Sequence, residues 1–347
     1  MTTVYLIRHA EAEGNLYRRS QGHYNSTITD RGYAQIAALS RRFDGVAIDA
    51  AYASDLARTQ TTALSVTLPR GLALHTTAQL REVCMGEWED RTWADIAYHE
   101  REMLVRFNTD AGSWHVPGAQ DMYAVRERML RAVQEIIAAH PDQTVAIFSH
   151  GMALRLLVGT LQGLSIAEID KTGHAENTAV TRLEADEHGI RVLYRDDASH
   201  LPEELTTLHR QLWTKSKGGL EPGIYFRPAQ RAGYFNVLCE EDVVGNVGVE
   251  CGADGVAQIA AYRLDDAQRG KGYGIQLLGQ AISCARAQGC DRIRAAIARG
   301  DDVCLRRAQA YGMTAVQEDA EHIVLEKYFG YDPAYRVMKL REALGEA

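Results

Sequence analysis

Two short runs, TVYLI and TVAIFS, are rich in β-branched and apolar side chains, and each leads into a histidine. Arg8-His9 follows the first and Ser149-His150-Gly151 the second. A strand covered on both faces reads as a continuous apolar run, and such strands sit in sheets flanked by helices. Around them strand and helix patterns alternate. Thr29 or Asp30 caps a helix through DRGYAQIAALSRRF, AAYAS is a strand, DLARTQTTALSV a helix and LALHT a strand. Helices are expected near 93–107 and 120–139, MALRLLVGTLQ is another, and TAVTRLEA and GIRVLYR close the unit as a strand pair. This order predicts a three-layer α/β/α sandwich with a mostly parallel sheet. Ligands of such sheets bind beyond the carboxyl ends of strands, so the two histidines converge on one edge.

A chain of 347 residues exceeds the roughly 100 to 200 residues usual for one domain, which predicts two. From Leu201 the pattern becomes a helix, PEELTTLHRQLW, and then TKSKGGLEPG, which has no apolar period and places a boundary near residue 218. Beyond it YFNVLCEE, VVGNVGVE and VAQIAAYRL read as antiparallel neighbours. A glycine-rich turn, the helix GIQLLGQAISCARAQG and the strand RIRAAIAR follow. The expected domains are 1–210 and 223–347, joined by a linker at 211–222; the second is a mixed α/β unit.

The net charge of -8 argues against nucleic acid as a partner, because duplex binding needs basic side chains that neutralise phosphates. The start MTTVYLIRHAEAEG resembles neither a signal peptide nor a membrane span, which predicts a cytoplasmic protein with no membrane partner. Six cysteines show no CxxC spacing and no histidine at ligand spacing, so reduced, mostly buried thiols are expected rather than a metal site or disulfides.

If Arg8 and Arg58 join His9 and His150 in one pocket, several cations and donors meet there, and a phosphate satisfies them better than water. A neutral histidine attacks phosphorus, arginines neutralise the growing charge, and a carboxylic acid releases the alkoxide as an alcohol. The stretches LIRHAEAEGN, ASDLARTQTTA, LREVCMGEWED and FSHGMALR, in that order, resemble the histidine phosphatase (phosphoglycerate mutase-like) superfamily over residues 1 to about 210. The resemblance implies that His9 becomes phosphohistidine, that Arg8, Asn15, Arg58 and His150 hold the phosphoryl group, and that Glu82 is the general acid. The family motif commonly reads RHG and here reads RHA. GEWEDRTWADI is similar to the broad-specificity phosphatase branch, which favours hydrolysis over mutase chemistry, with no metal required.

QRGKGYG follows a strand and opens a helix, so its N–H groups can face a pyrophosphate at a positively polarised helix start. A P-loop needs Ser or Thr after the lysine, but Gly272 follows Lys271, and the antiparallel strands upstream do not suit a dinucleotide fingerprint. Arg269, Gly272 and Gly274 match the R/QxxGxG/A motif, and residues 223 to about 330 resemble the GNAT acetyltransferase superfamily. The resemblance implies acetyl-CoA or another acyl-CoA as co-substrate. Its pyrophosphate would lie on the amides of Gly270, Lys271, Gly272, Tyr273 and Gly274, with Arg269 also among the cofactor-binding residues, and its pantetheine arm along the main chain of Tyr262 and Leu264. The family's NxxAxxxY helix reads here with Asp301, Cys304 and Ala308, so the usual proton donor is absent, and Tyr311 stands about one turn on. Glu240, Glu241 and Glu250 are candidate bases by residue type alone.

The expectation is a bifunctional enzyme acting on a small phosphomonoester and, with acyl-CoA, on a small primary amine. The alternative keeps one active domain and makes the other a ligand-binding or regulatory module. A homo-oligomer is compatible with the sequence.

Overall fold

The structure, a computed structural model, describes residues 1–208, 211 and 223–346. The first sheet has the order β3-β2-β4-β1-β5-β6, with strands β1 (Thr2–Arg8), β2 (Ala50–Ser54), β3 (Leu74–Thr77), β4 (Thr144–Ser149), β5 (Val180–Asp186) and β6 (Gly189–Asp197). The β1–β4, β4–β2 and β2–β3 pairings are parallel, and the β1–β5 and β5–β6 pairings antiparallel. Alternate residues feed two cores. Val4 and Leu6, with Val145 and Ile147, pack against α6 (Met122–Ala139) and α7 (Gly151–Leu161). Ile7, Ala146 and Phe148 face α2 (Asp30–Arg42) and α3 (Ala57–Arg70). The expected α/β/α layering holds, and Thr29 caps α2 by accepting from Gly32 N–H.

Two helical expectations change. The helix near 93–107 divides into α4 (Trp93–His99) and α5 (Arg101–Thr109), because Glu100 leaves helical geometry at φ -136 and ψ 40. Its carboxylate is drawn aside by Trp88 Nε1 and Arg91. The described part of PEELTTLHRQLW holds a short 3-10 turn, Glu203–Leu205, in place of a continuous helix. The Glu176 carboxylate takes the N–H groups of Thr207 and Leu208, which a helix would have needed. The boundary near residue 218 lies outside the described residues.

The second sheet has the order β12-β13-β11-β10-β9-β8-β7, with β7 (Tyr225–Pro228), β8 (Tyr234–Cys239), β9 (Asp242–Cys251), β10 (Val256–Leu264), β11 (Arg292–Ala298), β12 (Thr314–Glu318) and β13 (His322–Tyr328). The expected antiparallel run β8–β9–β10 is present. β10 and β11 pair in parallel only over Val256–Gln258 and Arg292–Arg294, after which β10 continues alone on that side. α8 (Gly274–Ala287) and α9 (Asp302–Ala310) complete this unit. The chain ends in α10 (Pro333–Leu344), whose Leu340 packs among Tyr33, Ile36 and Ala37 of α2.

The two units share a packed face. Tyr17, just past α1 (Glu13–Leu16), belongs to the core of the second unit. Gly279 of α8 has no Cβ because one would lie 2.5 Å from the Tyr17 side chain. The six cysteines are free, but only Cys290 is buried; four are half-buried and Cys304 is exposed, which corrects the expectation of mostly buried thiols. Cys290 belongs to the second core and Cys239 and Cys251 pack against it, while Cys84 lies in a loop and Cys284 and Cys304 on helices. No single described helix is long and apolar enough to cross a membrane.

Candidate functional site

β1 and β4 run in parallel with Arg8 opposite Ser149, so His9 and His150 leave the sheet at the same edge. Their hydrogen bonds fix their tautomers. His9 Nδ1 lies 2.8 Å from the Ala10 carbonyl, which only accepts, so Nδ1 carries the proton and Nε2 a lone pair. Arg58 Nε lies 3.2 Å from His150 Nδ1, and a guanidinium only donates, so His150 carries its proton on Nε2. The two buried rings are 5.3 Å apart, one with a nucleophile's form and the other a donor's.

Arg58 stands in the first turn of α3 and is fully buried. It donates to the carbonyls of Tyr24 at 2.9 Å and Gly22 at 2.7 Å. Burial pulls it down to about 10, against the pull of Glu82 and Glu89. Arg8 is lowered by burial too, opposed by Glu176 and Glu82, and donates to Ala175 O. Arg8 Nε and His150 Nε2 are buried and find no hydrogen-bond partner among the described residues. Two donors without acceptors beside one free lone pair form a site short of an anion.

Glu82 lies at the start of α7, where it accepts from Met152 N–H at 3.0 Å and Ala153 N–H at 2.8 Å. These are orphan donors of a helix N-terminus, and Val83 N–H adds a third at 3.0 Å. Arg8, His9, Asn15 and Glu82 line one cavity with an apolar wall of Met85, Trp93, Leu104 and Phe107. Arg58 and His150 are not on that wall; they lie beneath it. Asn15 Oδ1 accepts from Ala12 N–H at 3.1 Å and so shapes the turn after β1. His23 stays off the cavity wall, its Nε2 3.0 Å from Glu82 O.

Burial, then Arg58 and Arg8, holds His9 well below the ordinary histidine value. Burial, then Arg58 and His9, does the same to His150. Both rings are therefore neutral near pH 7, the state in which His9 Nε2 can attack an electrophile.

The glycine-rich turn ends where α8 begins, at Gly274. Gly270 and Gly272 both have φ +81, and an added Cβ at either would meet nothing within 4 Å. Left-handed backbone, rather than crowding by the protein, is what demands glycine there. Gly274 differs: a Cβ would lie 2.8 Å from the Tyr311 hydroxyl, and Tyr262 OH donates to its carbonyl. The N–H groups of Gly270, Lys271 and Gly272 find no acceptor among the described residues. Arg269 Nε donates to Leu264 O at 3.1 Å, tying the turn to β10. Lys271 reaches Gln268, and Tyr273 packs on the second core. Tyr262 and Leu264 lie where β10 has parted from β11, leaving one main-chain edge open. Free amides at a helix start beside an open strand edge fit a pyrophosphate with an extended arm. Asp301 caps α9 and Ala308 is buried. Glu250 pairs with Arg231 in solvent, and Glu240 and Glu241 sit exposed at the β8–β9 turn.

Sequence patterns pass over several supporting residues. Asn177 Nδ2 donates to His9 O at 2.8 Å. Glu89 accepts from the amides of Gly22, His23 and Tyr24. Arg128 holds the carbonyls of Arg81 and Glu82. Only Glu89 carried a signal, since it lies inside the GEWED stretch.

A family model described as the histidine phosphatase superfamily (branch 1) matches residues 4–198, and one described as the acetyltransferase (GNAT) family matches 199–313. A protein of Cronobacter sakazakii described as a probable phosphoglycerate mutase GpmB is 32% identical over 209 residues, 58% of this chain and 95% of its own. Among solved structures, Bacillus stearothermophilus YhfR is 30% identical with TM-score 0.56, covering 58% of this chain and 99% of that one. A mycobacterial glucosyl-3-phosphoglycerate phosphatase, 24% identical with TM-score 0.53, shares the fold over 56% of this chain and 99% of its own.

Proposed function

The chain belongs to the histidine phosphatase superfamily and carries a GNAT-family domain behind it, and on that footing we propose that it hydrolyses a small phosphomonoester and transfers an acyl group to an amine. In the first reaction His9 Nε2 attacks phosphorus, and the P–O bond to the leaving alcohol breaks as the P–N bond forms. Glu82 gives its proton to the departing oxygen, then takes one from the water that cleaves phosphohistidine. Arg8, Arg58, Asn15 and His150 hold the phosphoryl oxygens and offset their growing charge. The observation that carries this reading is the pair of partnerless donors, Arg8 Nε and His150 Nε2, beside the His9 lone pair. The likeness of GEWEDRTWADI to the broad-specificity phosphatase branch supports hydrolysis over phosphoryl transfer between hydroxyls.

In the second domain, residues 269–274 would hold the pyrophosphate of an acyl-CoA, with the acyl thioester between β10 and β11. The acyl-CoA supplies the activated carbonyl. The chain's own part is to hold that carbonyl still and admit a neutral amine. A molecule bearing both a phosphomonoester and a primary amine, such as an amino-alcohol phosphate, would give both domains work. The alternative keeps the phosphatase active and leaves the second domain as a binding module, favoured by Ala308 standing where the family places its tyrosine.

Thiol release from acetyl-CoA, measured over a panel of amines and aminophosphates with phosphate release followed in parallel, tests both halves. Turnover of an amine establishes the bifunctional reading. Phosphate release without thiol release establishes the alternative, and silence in both assays refutes the proposal.

A further inference from the structure

Arg58 does not hold itself in place. Its guanidinium hangs from the carbonyls of Gln21, Gly22 and Tyr24, and the helix that carries it is capped by Asn25, whose Oδ1 accepts from Ala57 N–H at 2.8 Å. The position of Arg58 is therefore the position of the loop 21–25. Glu89 grips that loop from within the first domain.

The other grip comes from the second domain. Arg286, in the last turn of α8, donates to the Tyr24 hydroxyl at 2.6 Å and through Nη2 to both oxygens of Glu13, at 3.1 Å and 2.8 Å. Glu13 in turn accepts from Thr27 N–H at 3.0 Å, closing the loop from its other end. The pair is well shielded, with side-chain exposures of 14% for Arg286 and 4% for Glu13. The Arg286 guanidinium also lies over the rings of Tyr24, Phe329 and Tyr331. Tyr331 adds a direct bond to the same loop, its hydroxyl donating to Asn25 O.

Further contacts run along the same face of α8. Gly279 packs on Tyr17, Gln280 accepts from Arg19 at 3.0 Å and Ser283 donates to Asp90. Spacings of three and four residues put these positions, with Arg286, on one side of the helix. The histidine phosphatase family model matches residues 4–198, so this helix lies outside the part of the chain that model covers.

We infer that Arg286, supplied by the second domain, is a positioning residue of the phosphoryl-transfer site, acting through Glu13 and Tyr24 on the loop that aims Arg58. The inference rests on the reading of the His9 site as a phosphoryl-transfer site. Arg286 touches no reacting atom. It acts on Arg58, whose charge matters most when the phosphoryl group carries the most negative charge, so its removal moves kcat more than KM.

The test uses the full chain with Arg286→Ala, Arg286→Lys and Tyr331→Phe, reading p-nitrophenyl phosphate turnover, vanadate binding by calorimetry and thermal midpoints. Arg286→Ala is expected to lower kcat about tenfold or more with KM changed less, since a misplaced catalytic group costs up to roughly a hundredfold. Vanadate affinity falls in step, and Arg286→Lys, which keeps a cation against Glu13, recovers part of both. Tyr331→Phe, at a partly exposed side chain, lowers kcat severalfold at an unchanged thermal midpoint and decides the matter should Arg286→Ala fail to fold. A folded Arg286→Ala or Tyr331→Phe with wild-type kcat and vanadate affinity overturns the inference. A wild-type chain that binds vanadate without turnover leaves binding as the deciding readout. A wild-type chain that neither turns over the ester nor binds vanadate refutes the His9 reading first, and the inference falls with it.

Discussion

The rings of His9 and His150 stand 5.3 Å apart and present opposite chemistry at Nε2, a lone pair on one and a proton on the other. One carbonyl, that of Ala10, and one guanidinium, that of Arg58, set this difference. In the proposed reaction the two neutral histidines would thus divide the work of attacking phosphorus and donating to its oxygens without competing for a proton.

Replacing His9 with alanine removes the nitrogen that the proposed reaction uses to attack phosphorus. His9→Ala is expected to abolish the phosphoenzyme and to reduce turnover by about three orders of magnitude or more, leaving what binding and charge stabilisation supply. Rapid acid-free quenching followed by phosphorus NMR of the denatured chain reads the P–N species directly. Full turnover by the alanine variant would place the nucleophile elsewhere.

The pH response follows from the cause of the histidine shifts. Burial and the neighbouring arginines hold both rings well below 6.5, so each stays neutral through mildly acidic solution. A group whose folded value is depressed binds its proton more readily unfolded, so its neutral form contributes stability above about 6.5 that is lost as pH falls towards the folded value. His200, taken to about 4 by burial and Arg42, and His174, taken to about 3 by burial and Arg155, act in the same direction. The thermal midpoint should therefore fall steadily from pH 7 towards pH 4, and the His9 ring, followed by NMR in the ligand-free chain, should titrate below pH 6.5. A His9 midpoint at or above that value would contradict the tautomer and charge assignment.

How much of this was legible in the sequence depended on where each bond partner lies. His9 and His150 stood out because a strand end announces itself locally, and β1 and β4 then bring the two together. Asn177 gave no sign: its one task is to hold a carbonyl 168 residues away, and any asparagine in a loop looks the same. Gly279 falls inside the helix expected over GIQLLGQAISCARAQG with nothing local to mark it, and the Tyr17 ring against it explains why no side chain stands there. The helix expected in PEELTTLHRQLW fails over its described part for a like reason, since its apolar spacing was real but Glu176 claims the N–H groups of Thr207 and Leu208. Local periodicity reports which residues want burial. It does not report a carboxylate arriving from elsewhere.

Glu82→Gln separates two roles for the carboxylate. The three N–H groups of Val83, Met152 and Ala153 all point at acceptor oxygens, and an amide offers only one, so at least one of them loses a good partner. The variant also has no proton of the right acidity to give. Hydrolysis should slow by about a hundredfold or more for alkyl phosphates and far less for p-nitrophenyl phosphate, whose leaving group needs no proton. The dependence of kcat on leaving-group acidity is the measurement. Equal losses for both esters would make Glu82 a residue that shapes the start of α7 rather than a proton donor.

Gly272→Val asks whether the turn before α8 holds a pyrophosphate. At φ +81 a β-branched residue costs about 1–3 kcal/mol to keep the same backbone. A loop that relaxes instead turns its N–H groups away from the ligand, so acetyl-CoA affinity measured by calorimetry should fall roughly tenfold or more. Gly45→Val is the matched control. Gly45 has φ +74 and open space around it, and it lies in the turn after α2, so it carries similar strain without touching the second domain. Acetyl-CoA affinity lost equally in both variants would assign the effect to general destabilisation. Affinity kept in both would remove the amides of Gly270 to Gly274 from the binding of acyl-CoA and leave the open edge of β10 as the place to look.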